Sequence, residues 1–223
     1  MQFRDRGQAG RELAGVLRTR QEKGELPDPV VLALPRGGVA VAEEVARALG
    51  APLDVLVVRK IGAPFQRELG VGALVGDDEP LFDDDALDRL GLTPRDLAPV
   101  VVRERAELQR RERLYRQGLP ALDLRGRTAI VVDDGLATGG TARAALRSLR
   151  RAAPHRTVLA VPVGSPEAVD LLRPEADEVI CLQQPSVFMA VGLWYEDFEQ
   201  LTDADVLHAL HTAAERRGRG ART

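Results

Sequence analysis

The sequence predicts an α/β fold, a mainly parallel sheet of about five strands with helices on both faces. Short runs of β-branched and other apolar residues alternate with segments in which apolar residues recur every three or four positions. This alternation is typical of buried parallel strands joined by amphipathic helices. Glycine-rich loops follow two of the apolar runs. The 223-residue chain is 44% hydrophobic, which is enough for one domain without disulfide support.

The first part of the chain predicts a helix and then a strand–helix–strand unit. Residues 7–22 have a weak helical pattern, and residues 30–34 form an apolar run that Gly37-Gly38 ends. Residues 39–49 repeat apolar side chains at helical spacing before Gly50, a residue suited to ending a helix. Residues 53–58 then predict the second strand.

The middle of the chain predicts a flexible flap followed by helices. Residues 59–82 have no single period and are rich in glycine, so we expect a flap, with a β-hairpin turning at residues 76–78. Residues 83–85 are three acids that favour a helix start. Thr93-Pro94 and Asp96 predict the start of a long helix to about residue 116, with a solvated charged face.

The rest of the chain predicts three more strands. Residues 128–132, 158–163 and 178–182 are apolar; a helix follows the first, and Ser165-Pro166 caps a short helix after the second. A last amphipathic helix begins at Asp203. We expect one domain over residues 1–215 and a disordered basic tail over residues 216–223.

The segment 131–141, VVDDGLATGGT, carries the clearest chemical signal. It places Asp133 and Asp134 at the end of a strand and a loop of small and hydroxyl residues at the start of a helix. Free amides at a helix start favour a phosphate group, and glycines let the backbone approach it closely. The acids repel phosphate, so they suit sugar hydroxyls or a cation that accompanies the phosphate.

Two further groups of residues end strands that we expect at the same edge of the sheet. The loop of Pro35, Arg36, Gly37 and Gly38 opens a helix and predicts a second anion site. Arg59-Lys60 ends the predicted second strand, where two cations suit pyrophosphate oxygens. A helix-initiating turn and a solvated charge pair are the other interpretations of these two segments.

The motif around the two acids resembles the phosphoribosyl pyrophosphate signature of the type I phosphoribosyltransferases, whose fold is a Rossmann-like sheet with a flap and a C-terminal hood. The resemblance implies transfer of a phosphoribosyl group to a nitrogen acceptor, such as a nucleobase, with release of pyrophosphate and with Mg²⁺ carried by the substrate near Asp133 and Asp134. It implies that these acids, with Arg59 and Lys60, form the catalytic set. The 5′-phosphate would bind Gly135, Leu136, Ala137, Thr138, Gly139, Gly140 and Thr141, and pyrophosphate would bind Pro35, Arg36, Gly37, Gly38, Arg59 and Lys60.

The resemblance also implies a cis peptide between Pro35 and Arg36, and a hood over residues 183–200. In the hood, Phe188 is the candidate for stacking on a base; packing of the hood on the core is the other interpretation, preferred for Trp194 and Phe198. Glu68 in the flap is either an acid–base or substrate contact, or a surface carboxylate.

The acceptor end departs from the pattern of the hypoxanthine-guanine enzymes. Those enzymes have an acid where this chain has Ala137, and a lysine where residues 163–165 read Val-Gly-Ser. The chain as a whole resembles a group of bacterial phosphoribosyltransferases with no agreed substrate. Two other functions therefore stay open: a regulator that binds phosphoribosyl pyrophosphate without transferring it, and a hydrolase or phosphatase that uses the acid pair as nucleophile.

Composition bounds the partners. The net charge of −3 argues against a nucleic-acid partner, and no apolar run has the length of a membrane span. The single cysteine, Cys181, lies in an apolar run and predicts a reduced core residue in a cytoplasmic protein. His155, His208 and His211 form no recognisable metal pattern. The family resemblance implies a homodimer acting on small molecules in nucleotide metabolism.

Overall fold

The computed structural model describes residues 2–117 and 122–220, apart from the side chains of Glu68 and residues 217–220. Within them the strands are β1 Pro29–Ala33, β2 Leu53–Val55, β3 Val58–Ala63, β4 Gln66–Val75, β5 Leu81–Phe82, β6 Thr128–Val132, β7 Arg156–Val163 and β8 Glu178–Gln183. The helices are α1 Arg6–Glu22, α2 Gly38–Leu49, α3 Asp84–Leu90, α4 Ala98–Arg116, α5 Gly140–Leu149, α6 Pro166–Leu172 and α7 Asp203–Gly220.

The main sheet is parallel, with the strand order β2-β1-β6-β7-β8. This confirms the predicted fold class and the five strands. Alternate residues of the strands face opposite layers: Val31 and Ile130 pack toward α1, α2, α4 and α7, whereas Leu32 and Val131 pack toward α5 and α6. Each fully buried Val, Leu or Ile contributes about 1.5–3 kcal/mol, so both apolar layers hold the sheet in place.

The chain reverses its direction across the sheet between β1 and β6. From β1 it continues through α2 to β2 on one side, and from β6 it continues through α5 to β7 on the other. The two strands pair in register, with Leu32 opposite Val131 and Ala33 opposite Val132. Ligands of open α/β sheets bind in the crevice at such a switch point, so the edge beyond Ala33 and Val132 is where a site is expected.

The predicted second strand, residues 53–58, starts where expected, but its predicted end is wrong. β2 stops at Val55 because its neighbour β1 ends at Ala33, and after the Leu56 amide bonds to the Ala33 carbonyl no further parallel partner remains. A new strand, β3, starts at Val58 and pairs with β4 in a separate antiparallel sheet, β3-β4-β5. Arg59-Lys60 therefore lies inside β3 and not at the end of a main-sheet strand.

The segment predicted as a flap is this small sheet. The predicted turn at residues 76–78 is present, but it connects β4 to β5, while the β3–β4 hairpin turns at Pro64-Phe65. The sheet packs between α4 and α5, with Leu74 in the core toward α4 and Ala73 against Ala144 of α5.

Helix ends follow local capping chemistry. The Asp83 side chain accepts from the Ala86 amide, which confirms the acidic start of α3, and Ser165 caps α6 as predicted. The long helix begins later than predicted: Asp96 accepts from the Thr93 amide and hydroxyl in a turn, and α4 starts at Ala98. The tail was expected to be disordered from residue 216, but α7 continues to Gly220. Residues 221–223 lie outside the described part.

Candidate functional site

Two loops meet at the switch point between β1 and β6. The Leu34 amide donates to the Val132 carbonyl at 2.9 Å, so the loop after β1 lies against the end of β6. A Cβ on Gly38 would be 2.6 Å from the Val132 carbonyl oxygen, so only glycine allows this approach. A Cβ on Gly37 would overlap the Asp134 carboxylate. The Pro35–Arg36 peptide is cis, which confirms that expectation.

The acid pair lies directly against this loop and is largely withdrawn from solvent. The Asp134 amide donates to Asp133 Oδ1 at 2.9 Å, and the Asp134 side chain is 13% exposed. Burial raises the pKa of Asp133 well above its usual value, and the charge of Asp134 raises it further. Burial also raises the pKa of Asp134, although Arg6 opposes this effect. Two buried acids in contact favour a ligand that donates hydrogen bonds or carries positive charge.

Arg6 is a member of the site that the sequence did not indicate. Its Nε donates to Asp134 Oδ2 at 2.8 Å, and its Nη1 donates to the Glu199 carbonyl at 2.8 Å. The guanidinium lies 3.8 Å from the centre of the Phe198 ring. The two hydrogen-bond partners are 128 and 193 positions away in the sequence, so no local pattern could have found them. The one local signal nearby is Asp5, whose side chain caps the start of α1 by accepting from the Gln8 amide, but it indicates a helix start and not a site residue.

The loop after the acids has the form of an anion site over most of its length. Ala137, Thr138 and Gly140 are exposed, Gly139 has φ 74°, and no side chain caps the start of α5. Its free amides therefore remain available. Leu136 departs from the predicted set, because its side chain is buried and its amide donates to the Val163 carbonyl at 2.9 Å.

Arg59 and Lys60 are neighbours in β3, so their side chains point to opposite sides of the strand. Arg59 donates to Glu104 of α4 at 2.6 Å. Lys60 lines a cavity of about 400 Å³ together with Thr138, Gly140 and Arg143. Lys60 thus lies beside the loop predicted for the 5′-phosphate.

Arg36 extends from the other loop toward α4 and α7. It lies 3.7 Å from Asp203, which accepts a 2.6 Å hydrogen bond from the Tyr115 hydroxyl. Burial raises the pKa of Tyr115 to about 12, with the Asp203 hydrogen bond adding to the effect, so Tyr115 is a neutral donor. Arg36 is therefore braced from outside the loop.

The hood covers the acid pair through its aromatic residues. The Tyr195 hydroxyl donates to the Asp134 carbonyl at 2.6 Å, and Val191 packs where a Cβ on Gly135 would be. Phe188 is half-buried and stacks on Trp194, with ring centres 6.3 Å apart. Its role as a base-stacking residue stays a prediction.

Glu68 is the last of the predicted site residues. Glu68 lies in β4, but its side chain is outside the described part, so neither interpretation of it is decided. Cys181 is half-buried, donates to the Gln183 carbonyl at 3.2 Å, and has its pKa raised to about 11 by burial, so its thiol is protonated. Across residues 2–117 and 122–220, no helix is long and apolar enough to cross a membrane.

The fold and the site define an α/β protein with two anion-type loops and an acid pair at the switch point of a parallel sheet. The model of the phosphoribosyl transferase domain family matches residues 2–196. The chain therefore belongs to this family.

Individual relatives agree with the family assignment. A Mycobacterium tuberculosis H37Rv protein named as a phosphoribosyl transferase is 46% identical over 211 residues, 95% of this chain; the chain spans about half of that protein, 47% of its length. The crystal structure of TT1426 from Thermus thermophilus is 44% identical with a TM-score of 0.80, over 94% of this chain and 98% of that one. A Neisseria gonorrhoeae protein solved with bound ppGpp shares the fold at 14% identity and a TM-score of 0.50, over 95% of this chain and 98% of that one.

Proposed function

We propose that the chain transfers the phosphoribosyl group of Mg²⁺-phosphoribosyl pyrophosphate to a nitrogen acceptor, with release of pyrophosphate. The observation that carries this proposal is the arrangement of three parts: the acid pair lies against Gly37 and Gly38 of one loop, and the loop of residues 137–141 follows the acids in the chain and leads into the uncapped start of α5. A sugar with one anionic group at each end matches this order of loop, acids and loop.

Each part has a defined task in the proposed reaction. Asp133 and Asp134 would accept hydrogen bonds from the ribose hydroxyls, and the free amides at the start of α5 would hold the 5′-phosphate. The loop of residues 35–38 would receive the pyrophosphate leaving group. Because the sugar develops positive charge at the anomeric carbon, the protein mainly aligns the reactants and stabilises the charges that separate.

The location of Lys60 changes its proposed task. The lysine shares a cavity with Thr138, Gly140 and Arg143. Its ammonium group would therefore neutralise the 5′-phosphate and not the pyrophosphate, which is left to Arg36 and the backbone of Gly37, because the Gly38 amide donates to the Leu34 carbonyl. Arg59 would then only anchor β3 to α4 through Glu104.

Magnesium fits the acid pair as a partner delivered by the substrate. In the described residues no group of three or more His, Cys, Asp and Glu side chains is placed to hold a metal. Mg²⁺ prefers oxygen ligands and is commonly held by one or two carboxylates together with substrate phosphates. Asp133 and Asp134 are the carboxylates available for this arrangement, and the ion would neutralise charge on the leaving pyrophosphate.

The experiment that tests the proposal is a turnover assay with Mg²⁺-phosphoribosyl pyrophosphate and a panel of nucleobases and other nitrogen acceptors. We expect acceptor-dependent release of pyrophosphate that Asp134→Asn abolishes while the protein stays folded. Unchanged affinity of Asp134→Asn for the donor in calorimetry would contradict the assignment of the site.

A regulator that binds the donor without transferring it is the second candidate function. The observation that favours it is Ala137: its carbonyl accepts from the Ser165 hydroxyl at 3.0 Å, and its side chain offers no acid or base to an acceptor. Tight binding of the donor without pyrophosphate release from any acceptor would support this function. A hydrolase that uses the acid pair as nucleophile is disfavoured, because the loop of Arg36, Gly37 and Gly38 that lies against the acids would then have no task.

Assembly and location complete the proposal. We expect a homodimer in the cytoplasm that acts on small molecules in nucleotide metabolism and has no nucleic-acid partner. Light scattering measures the oligomeric state, and a mass corresponding to one chain would contradict the dimer.

A further inference from the structure

Arg6 holds the acid pair from a segment that the sequence assigned no role. Its side chain is 10% exposed and the Asp134 side chain is 13% exposed, so their 2.8 Å contact is shielded from water. Among the described residues, Arg6 is the cation that bonds to either acid. Charge-assisted hydrogen bonds of this kind are roughly twice as strong as neutral ones and fix orientation as well.

The second Arg6 contact reaches the hood. Nη1 donates to the Glu199 carbonyl, and the guanidinium lies over the Phe198 ring, where cation–π attraction adds to the bond. Arginine can hold these three partners at once because its guanidinium has N–H donors along its edge and a flat face that stacks on an aromatic ring. One side chain thus joins Asp134 to two consecutive residues of the hood.

The segment before α1 keeps Arg6 at this position. The Phe3 amide donates to the Trp194 carbonyl and the Glu196 amide donates to the Phe3 carbonyl, both at 2.8 Å. The Asp197 amide donates to the Arg4 carbonyl, also at 2.8 Å. Phe3 forms a parallel β-bridge with Tyr195, and residues 3–4 run along the hood; we call these two residues the N-terminal strap.

The Arg6 contact also limits how Asp134 can meet a ligand. Arg6 occupies Oδ2, and the same oxygen lies against Gly37 of the anion loop. The carboxylate cannot rotate without losing the Arg6 bond or pressing on that loop. Its other oxygen, Oδ1, remains for a hydroxyl donor.

We propose that Arg6 is a positioning residue of the sugar site, which holds the Asp134 carboxylate in the orientation that accepts the ribose hydroxyls and links it to the hood through Glu199 and Phe198. This inference rests on the proposed function of the acid pair. It adds the N-terminal strap to the site. It also predicts that donor binding changes the environment of the hood residues.

The test compares Arg6→Gln and Arg6→Lys with the matched control Arg11→Gln. Arg11 lies on the same helix and bonds to Glu44 at 3.1 Å, away from the acid pair. Calorimetry measures the Kd of each protein for Mg²⁺-phosphoribosyl pyrophosphate and for inorganic pyrophosphate. The fluorescence of Trp194, the single tryptophan, reports the hood.

We expect Arg6→Gln to raise the donor Kd about tenfold or more, because the buried carboxylate loses its charged partner. Its Kd for inorganic pyrophosphate should stay within twofold, and the fluorescence change at saturating donor should disappear. Arg6→Lys keeps the charge but loses the fork, so its donor Kd should be intermediate. Arg11→Gln should behave as wild type in every measurement.

Other outcomes overturn the inference. An unchanged donor Kd in Arg6→Gln, or equal losses of donor and pyrophosphate, would remove the positioning role. If Arg6→Gln does not fold, Arg6→Lys decides: a donor Kd at least threefold above wild type supports the role, and an unchanged one overturns it. Asp134→Asn distinguishes a failure of the proposed function from a failure of this inference. Normal donor binding by Asp134→Asn would contradict the proposed function. If Asp134→Asn loses donor binding while Arg6→Gln binds the donor normally, only the positioning role of Arg6 is contradicted.

Discussion

At the scale of single residues, the site depends on Gly37 having no side chain. Its backbone, with φ −56° and ψ −44°, is allowed for any residue, so alanine would not strain the chain. The added Cβ would overlap the Asp134 carboxylate, which Arg6 holds in place. We expect Gly37→Ala to raise the donor Kd at least tenfold, measured by calorimetry, and to lower the free energy of unfolding by about 1–3 kcal/mol.

Gly15→Ala is the matched control for this prediction. Gly15 lies in α1, and a Cβ built on it would meet nothing within 4 Å beyond its chain neighbours and the nearby backbone of its own helix. Alanine in a helix interior is favoured over glycine by roughly 0.5–1 kcal/mol, so this variant should be slightly more stable and bind the donor normally. A Gly37→Ala protein with wild-type affinity would show that the Asp134 carboxylate does not need its present orientation.

Lys60 gives a second prediction at this scale. The cavity that Lys60 lines includes Thr138 and Gly140. We therefore expect Lys60→Ala to raise the Kd for ribose 5-phosphate several-fold in calorimetry and to leave the Kd for inorganic pyrophosphate nearly unchanged. Arg59→Gln, which removes the contact with Glu104, should lower stability without this selectivity. A selective loss of pyrophosphate in Lys60→Ala would return the lysine to the leaving-group end.

At the scale of secondary-structure elements, Glu175 fastens the far end of α5. It accepts hydrogen bonds from Arg143, Arg147 and Arg150, at 3.1, 2.8 and 2.9 Å. Burial raises the pKa of Glu175, but the hydrogen bonds from Arg147 and Arg143 outweigh it and lower the pKa overall. Because the pKa is lower in the folded state, the stabilisation is complete above the unfolded pKa of about 4.3 and is lost as the pH falls through the folded value.

Glu175→Gln should therefore lower the melting temperature by about 3 °C or more at pH 7, and the difference from wild type should shrink at an acidic pH below the unfolded pKa of about 4.3. Glu22→Gln is the control, because the Glu22–Arg18 pair is exposed and such pairs contribute little. Thermal unfolding followed by circular dichroism at both pH values checks this. A difference that persists unchanged in acid would mean that packing of the side chain, and not its charge, is what matters.

The elements also show how far the sequence could predict the site. Residues 128–132 and the loop after them were predictable because strand period, acids and glycines are local signals. The switch from β2 to β3 was not, because it depends on where the neighbouring strand β1 ends. Arg59 and Lys60 were therefore predicted at the end of a main-sheet strand, whereas they lie inside β3. Arg6 bonds to residues 128 and 193 positions away, distances at which sequence periodicity carries no information, and the N-terminal strap pairs with the same distant hood.

At the scale of the whole molecule, the hood is part of the core and not an attached lid. Phe3, Ala9, Val163 and Tyr195 form one buried cluster, which joins the N-terminal strap, α1, β7 and the hood. The Phe3 and Tyr195 rings lie 5.6 Å apart. Elements that are far apart in the sequence thus pack into one cluster, so we expect them to unfold together.

Phe3→Ala tests whether the hood unfolds together with the rest of the molecule. Phe3 is 2% exposed, so its removal from the cluster should lower the free energy of unfolding by about 3–5 kcal/mol. In a chain of this length that lowers the melting temperature by about 6–20 °C. The decrease should be equal by Trp194 fluorescence, which reports the hood, and by circular dichroism, which reports the sheet and helices. Phe65→Ala, at a 66% exposed hairpin turn, should change neither. If the fluorescence transition alone moved, the hood would be a separately unfolding unit, and Arg6 would connect two bodies instead of bracing one.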